Sequence, residues 1–139
     1  MGPEQGERGA APGGTGRPAR ADIAARGEEA AAAYFEANGT PVLARNYRSR
    51  YGEIDLIVAD RGTLVFVEVK ARTSTAVALP QEAVTGRKQR RICRTALAYL
   101  QRHGRAGQAA RFDVVAVTWR GGTVRIEHLP DAFPLRVDG

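Results

Sequence analysis

The stretch that most constrains this chain is residues 53–60 (EIDLIVAD), a short break at Arg61-Gly62, and the apolar run of residues 64–71 (LVFVEVKA). Two strand-like runs joined by a short Gly-containing connection read as a β-hairpin. If the loop is centred on Arg61-Gly62, facing positions have numbers that sum to 123. Ile57 then faces Phe66, Asp55 faces Glu68 and Glu53 faces Lys70. The two-residue period puts Leu64, Phe66, Glu68 and Lys70 on one face with Asp55 and Ile57. A three-residue loop would send the two carboxylates to opposite faces, so the register is a sharp expectation.

In that register the Cβ atoms of Asp55 and Glu68 lie about 4.5–5.5 Å apart. Two like charges there repel, and their surroundings of Leu, Val, Ile and Phe make charge costly. A divalent cation is the simplest compensation. Two carboxylates can ligate Mg²⁺ or Mn²⁺, which take hard oxygen ligands and, for Mg²⁺, retain several waters. Lys70 lies on the same face, where an ammonium can hold a water or offset charge developing on a phosphate. Metal, water and ammonium together suit hydrolysis of a phosphodiester. The plainer alternative is a solvated ion-pair cluster of Asp55, Glu68, Lys70 and Arg72.

Charge adds direction. The chain carries 21 Lys and Arg against 15 Asp and Glu, a net +6 that favours a polyanionic partner such as nucleic acid. Only two of the 21 are Lys, at positions 70 and 88, so these two merit individual reading. A helix is expected from about Thr85 to His103, stopped by Gly104. Its apolar stripe is Ile92, Cys93, Ala96, Tyr99 and Leu100, and Arg87, Arg90, Arg91 and Arg94 lie opposite. Between Gly86 and Arg105 seven Lys or Arg residues occur with no acid, which suits phosphate binding more than a mixed-sign solvated face does. Lys88 sits at the stripe edge and is grouped with these cations. Gln89 falls on the stripe and needs a partner, so it is expected to lean over the carboxylates.

An earlier helix is expected between Asp22 as cap and Gly39 as stop, with Ile23, Gly27, Ala30, Ala31, Tyr34 and Asn38 on one stripe. Glu29 points away from that stripe, whereas Glu28 sits at its edge, either facing inward or as a surface charge. The expected order is helix, three strands, helix, two strands. An edge strand spans 42–50, a loop 72–81, and two strands 111–119 and 123–128. Asp113, in the fourth strand, reads as structural. Residues 1–21, with six Gly and three Pro, are expected to be a disordered tail, residues 22–130 the domain, and 131–139 a second tail.

Several classes are disfavoured. A single cysteine, Cys93, excludes an intrachain disulfide framework and points to a reducing compartment. No run approaches the ~18 apolar residues of a membrane span, and the first residues have no apolar core of a secretory signal, so a cytoplasmic location is expected. His103 and His128 are far apart, and no phosphate-binding GK[ST] loop occurs. Aromatic residues make up 6%, which argues against a broad base-stacking platform.

The segments GEEAAAAYF (27–35), ARNYRSRYGEIDLI (44–57), LVFVEVKAR (64–72), LPQEAVTGRKQRR (79–91) and RFDVVAV (111–117) together resemble the bacterial YraN-type proteins. That uncharacterised family is assigned to the restriction-endonuclease-like superfamily and is similar to archaeal Holliday junction resolvases. The resemblance implies an α/β fold, a central mixed β-sheet flanked by helices. It implies that Asp55, Glu68 and Lys70 carry a metal-dependent nuclease signature, with Glu28 matching a first-helix glutamate of the resolvases. Ile54 stands where the superfamily often has Pro, and Ala78 where the subgroup often has Gly. The expected function is a Mg²⁺- or Mn²⁺-dependent endonuclease acting on DNA, branched DNA included. A resolvase-like role would imply a homodimer. The competing readings are a non-catalytic nucleic-acid-binding module on the same fold and a domain whose basic face meets an acidic protein.

Overall fold

A computed structural model describes residues 20–73 and 84–134. Most of the expected N-terminal tail, most of the 72–81 loop and the last five residues lie outside that range. The element order is α1 (Arg20–Ala37), β1 (Val42–Ser49), β2 (Gly52–Asp60), β3 (Thr63–Arg72), α2 (Gly86–His103), β4 (Ala110–Arg120) and β5 (Thr123–Phe133). The five strands form one mixed sheet in the order β1-β2-β3-β4-β5. Only β3 and β4 run parallel, joined by the segment that contains α2; the other neighbours are antiparallel.

The β2–β3 turn decides the register. Arg61 and Gly62 both take positive φ, 51° and 89°, the signature of a two-residue hairpin loop whose twist matches its strands. Asp60 therefore pairs with Thr63, Ile57 with Phe66 and Leu56 with Val67, the expected register. Alternate residues then feed two cores. Ile57, Leu64, Phe66, Phe112 and Val114 pack with Ile92, Cys93 and Ala96 of α2. Leu56, Val58, Val65, Val67, Val115 and Val117 pack with Ala31, Ala32 and Phe35 of α1. The helices thus flank the sheet on opposite faces. Each fully buried large side chain contributes roughly 1.5–3 kcal/mol.

The α2 boundaries follow the sequence closely: Thr85 is the N-cap, its hydroxyl accepting the Lys88 N–H, and Gly104 closes the other end. At α1 the start differs. The helix begins at Arg20, so Asp22 is not the cap but a first-turn residue, where its charge faces the positive end of the helix dipole. The buried stripe of α1 also differs, running through Gly27, Ala31, Ala32 and Phe35, with Asn38 exposed. Gly27 lets α1 lie directly on β3: a Cβ there would come within 2.5 Å of Ala71 Cβ. At the other end β5 runs to Phe133, beyond the expected stop near His128. Phe133 is buried and stacks on Phe112 with ring centroids 4.8 Å apart. Pro130 is tolerated because β5 is an edge strand. No helix among the described residues is long and apolar enough to cross a membrane.

Candidate functional site

The β2–β3 ladder stops at Leu56 opposite Val67. One position further, the Asp55 carboxylate accepts the Val69 N–H at 2.8 Å. That bond fixes Asp55 toward β3, beside Glu68. Glu68 is one of three buried polar or charged residues among those described, with 5% of its surface exposed. Asp55 and Glu68 line one pocket of about 230 Å³ together with Gly52, Glu53, Lys88, Arg91 and Ile92. The two acids therefore share one pocket, although the expected Asp55–Glu68 and Glu53–Lys70 pairs lie beyond the end of the ladder.

Two ammonium groups flank Glu68. Lys70 Nζ lies 3.8 Å from Glu68 Oε2, and Lys88 Nζ from α2 pairs with the same oxygen. Their electrostatics differ. The Lys70 amine is held below the usual lysine range, first by burial and then by the adjacent Lys88 charge. For Lys88 burial also acts downward, but the hydrogen bond and charge of Glu68 outweigh it and the net shift is upward. Burial, and next the like charge of Glu68, pushes the Asp55 carboxyl up to about 8, with the Val69 N–H opposing.

Glu28 reaches the same region from α1. Asn46 Nδ2 donates to Glu28 Oε1 at 3.1 Å and to Glu53 Oε2 at 2.9 Å, and the Glu28 charge is felt at Asp55. Asn46 takes a positive φ of 50°, a conformation that Asn tolerates better than most residues. Asn46 and Glu53 are site residues that the sequence reading did not assign. The neighbouring Glu29 is exposed and pairs with Arg45 at 2.8 Å.

The α2 residues divide. Arg87, Arg90, Arg91 and Arg94 are exposed, and Arg91 also forms part of the pocket wall. Lys88 belongs with the carboxylates rather than with the exposed arginines. Gln89 does not lean over the carboxylates: its Nε2 donates to Val84 O at 3.0 Å, a local partner that satisfies it at the start of its own helix.

The donor set fits a hard divalent cation. Among the described residues no three His, Cys, Asp or Glu side chains are grouped closely enough to hold a metal by themselves. Mg²⁺ is commonly held by one or two carboxylates, water filling its other positions, and Asp55 with Glu68 supplies that pair. Among the described residues of the pocket wall there is no His or Cys, the ligands zinc favours.

Comparison with known proteins places the chain. The profile of the uncharacterised protein family UPF0102 matches residues 27–117. The chain belongs to the UPF0102 family. A UPF0102 protein of Pelotomaculum thermopropionicum is 47% identical over 117 residues, covering 83% of this chain and 98% of its own. Another from Geobacter metallireducens is 45% identical over 113 residues, 81% of this chain and 93% of its own. A third, from Syntrophus aciditrophicus, is 51% identical over 109 residues, 78% of this chain and 86% of its own. Residues 27–117 of this chain include Glu28, Asp55, Glu68, Lys70 and Lys88.

Proposed function

We propose that this UPF0102 protein is a metal-dependent endonuclease that hydrolyses phosphodiester bonds of DNA, branched DNA included. The observation that carries the reading is the buried Glu68 beside Asp55 in a pocket walled also by Lys88, with Lys70 as a second ammonium partner of Glu68. A chain selected for stability alone gains nothing from two carboxylates placed side by side in a partly buried site. The reading extends to the restriction-endonuclease-like superfamily, whose signature Asp55, Glu68 and Lys70 match.

In this scheme Asp55 and Glu68 hold Mg²⁺ or Mn²⁺, which when bound supplies Lewis acidity toward a phosphoryl oxygen and lowers the pKa of a water. Lys70, its amine held below the usual lysine range by burial, orients the attacking water and offsets charge developing on the phosphate. Lys88 neutralises Glu68 and stands where it can offset charge on the phosphate. Glu28 and Glu53, tied through Asn46, hold the outer edge of the site. Arg87, Arg90, Arg91 and Arg94 bind backbone phosphates without reading bases.

A second reading, a nucleic-acid-binding module without cleavage, draws on one specific observation: Glu68 already has two ammonium partners. A cleavage assay on linear and branched DNAs with Mg²⁺ or Mn²⁺ separates the two. Metal-dependent cleavage that disappears in Asp55→Asn supports the nuclease. Binding without cleavage under all metals supports the module. If the four exposed arginines contact duplex phosphates, log K falls with log[salt] at a slope of about −3.6 in either case.

A further inference from the structure

Immediately beyond the carboxylate pocket the surface changes character. The turn between β1 and β2 faces α2 across a groove of about 500 Å³, bordered by Tyr47, Arg48, Arg50, Tyr51 and Arg102. A second hollow of about 290 Å³ continues from it along Tyr51, Arg94 and Gln101. Among the described residues neither wall contains an acid. Tyr51 lines both hollows, and the next residue, Gly52, lines the Asp55–Glu68 pocket. The groove therefore borders, through this turn, the segment that carries the carboxylate pocket.

Tyr51 is anchored in place. Its N–H donates to Ser49 Oγ at 3.0 Å. Ser49 Oγ meets Thr95 Oγ1 at 3.1 Å, and Thr95, buried in α2, donates to Arg91 O at 3.0 Å. Because the Thr95 proton goes to that carbonyl, Ser49 is the donor to Thr95. The chain of bonds ties the turn that carries Tyr51 to the helix that carries the arginines. The Tyr51 ring has the Arg50 guanidinium 5.1 Å from its centroid and that of Arg94 at 6.0 Å. Both arginines are exposed.

We propose that this groove holds an unpaired nucleic-acid strand, with one base stacked on Tyr51 and the flanking phosphates on Arg48, Arg94 and Arg102. An aromatic face bordered by guanidinium groups is the pairing that single-strand sites use, one for the base and the other for the backbone. An exposed cation–π contact is weaker than base–aromatic stacking, so a base displaces a guanidinium from the ring and leaves it to meet a phosphate. Inside a duplex both faces of a base are covered by its stacked neighbours, which selects the unpaired strand. The low aromatic content argues against a platform for several bases; one ring at the mouth of the pocket serves one base. The inference rests on the nuclease reading for its meaning: the substrate is DNA with a single-stranded segment beside the scissile bond.

The test is fluorescence anisotropy in EDTA with a labelled 15-residue oligothymidylate, the same-length strand lacking bases, and a blunt duplex. The wild-type protein should bind oligothymidylate roughly tenfold more tightly than the abasic strand. Tyr51→Ala should abolish that preference and Tyr51→Trp should retain it. Equal wild-type affinity for the base-bearing and abasic strands overturns the proposal, and so does a preference that survives Tyr51→Ala. The wild-type comparison does not depend on any variant folding. Because no metal is present, stacking is read independently of cleavage. A protein that prefers bases but never cleaves keeps this inference and loses the nuclease, and a cleaving protein indifferent to bases does the reverse.

Discussion

Two aspartates sit in the same sheet in opposite circumstances. Asp113 on β4 is fully buried and accepts four hydrogen bonds: Arg111 through Nε and Nη2, His128 Nε2 at 2.7 Å, and the Asp131 N–H at 2.9 Å. Asp55 on β2 has the Val69 N–H and, beside it, another carboxylate. Burial raises the pKa of both. At Asp113 the His128, Arg111 and Asp131 donors outweigh it and the carboxyl falls below the ordinary Asp value. At Asp55 nothing outweighs it, and the carboxyl rises to about 8. Asp113 also fixes tertiary structure. Asp131 has a φ of 54° at the bulge where the β4–β5 register shifts, and His128 Nδ1 meets the Tyr34 hydroxyl of α1 at 2.9 Å. Asp113 is a buried charge held by its donors, whereas Asp55 is a partly buried carboxyl set beside a second one in a pocket, the setting of a candidate functional site.

The largest effect should come from removing the satisfied partner. Asp113→Ala strands Arg111 and His128 and should cost about 3–5 kcal/mol in urea unfolding. A cost below about 1 kcal/mol would erase the contrast. Lys70→Ala should leave the fold intact and reduce metal-dependent cleavage by roughly 10²–10³-fold, read as single-turnover rate. The pH dependence should separate the two aspartates. Because the folded Asp55 pKa is raised above its unfolded value, the folded state holds the proton longer. Its contribution to stability is therefore lost as pH rises from about 4 to about 8 and is constant above that. Asp55→Asn has no such titration, so thermal unfolding should show the variant gaining on the wild type across that window by on the order of a few kcal/mol. The smallest effect should be that of Gly27→Ala. Its new methyl meets Ala71 and should cost about 1–3 kcal/mol while moving Glu28 away from the site.

The sequence carried the centre of the site but not its rim. The Arg61-Gly62 turn fixed the register as far as Leu56 and Val67, because strand geometry is periodic and local; one position beyond, the bond from the Val69 N–H rather than a ladder pair holds Asp55 beside Glu68. Lys88 was marked by being one of only two lysines among 21 cations, but its direction depends on how α2 crosses β2 and β3. Asn46 and Glu53 depend on a positive φ in β1 and on the approach of α1, neither of which a linear pattern encodes. Gln89 looked like a site residue because a half-buried amide needs a partner; Val84 O provides one five residues away. The last strand was expected to stop at His128, with a tail from residue 131, whereas the Asp113 bond to the Asp131 N–H holds the bulge and the strand runs on to Phe133.

The most direct measurement is a calorimetric titration of Mn²⁺ into the wild-type protein and into Asp55→Asn at pH 8.5, where the Asp55 carboxyl has ionised. The wild type should bind one ion, and the variant should bind at least about tenfold more weakly. A wild type that takes up no Mn²⁺, or a variant that binds it equally well, would contradict the assignment of Asp55 and Glu68 as the ligands of a hydrolytic metal.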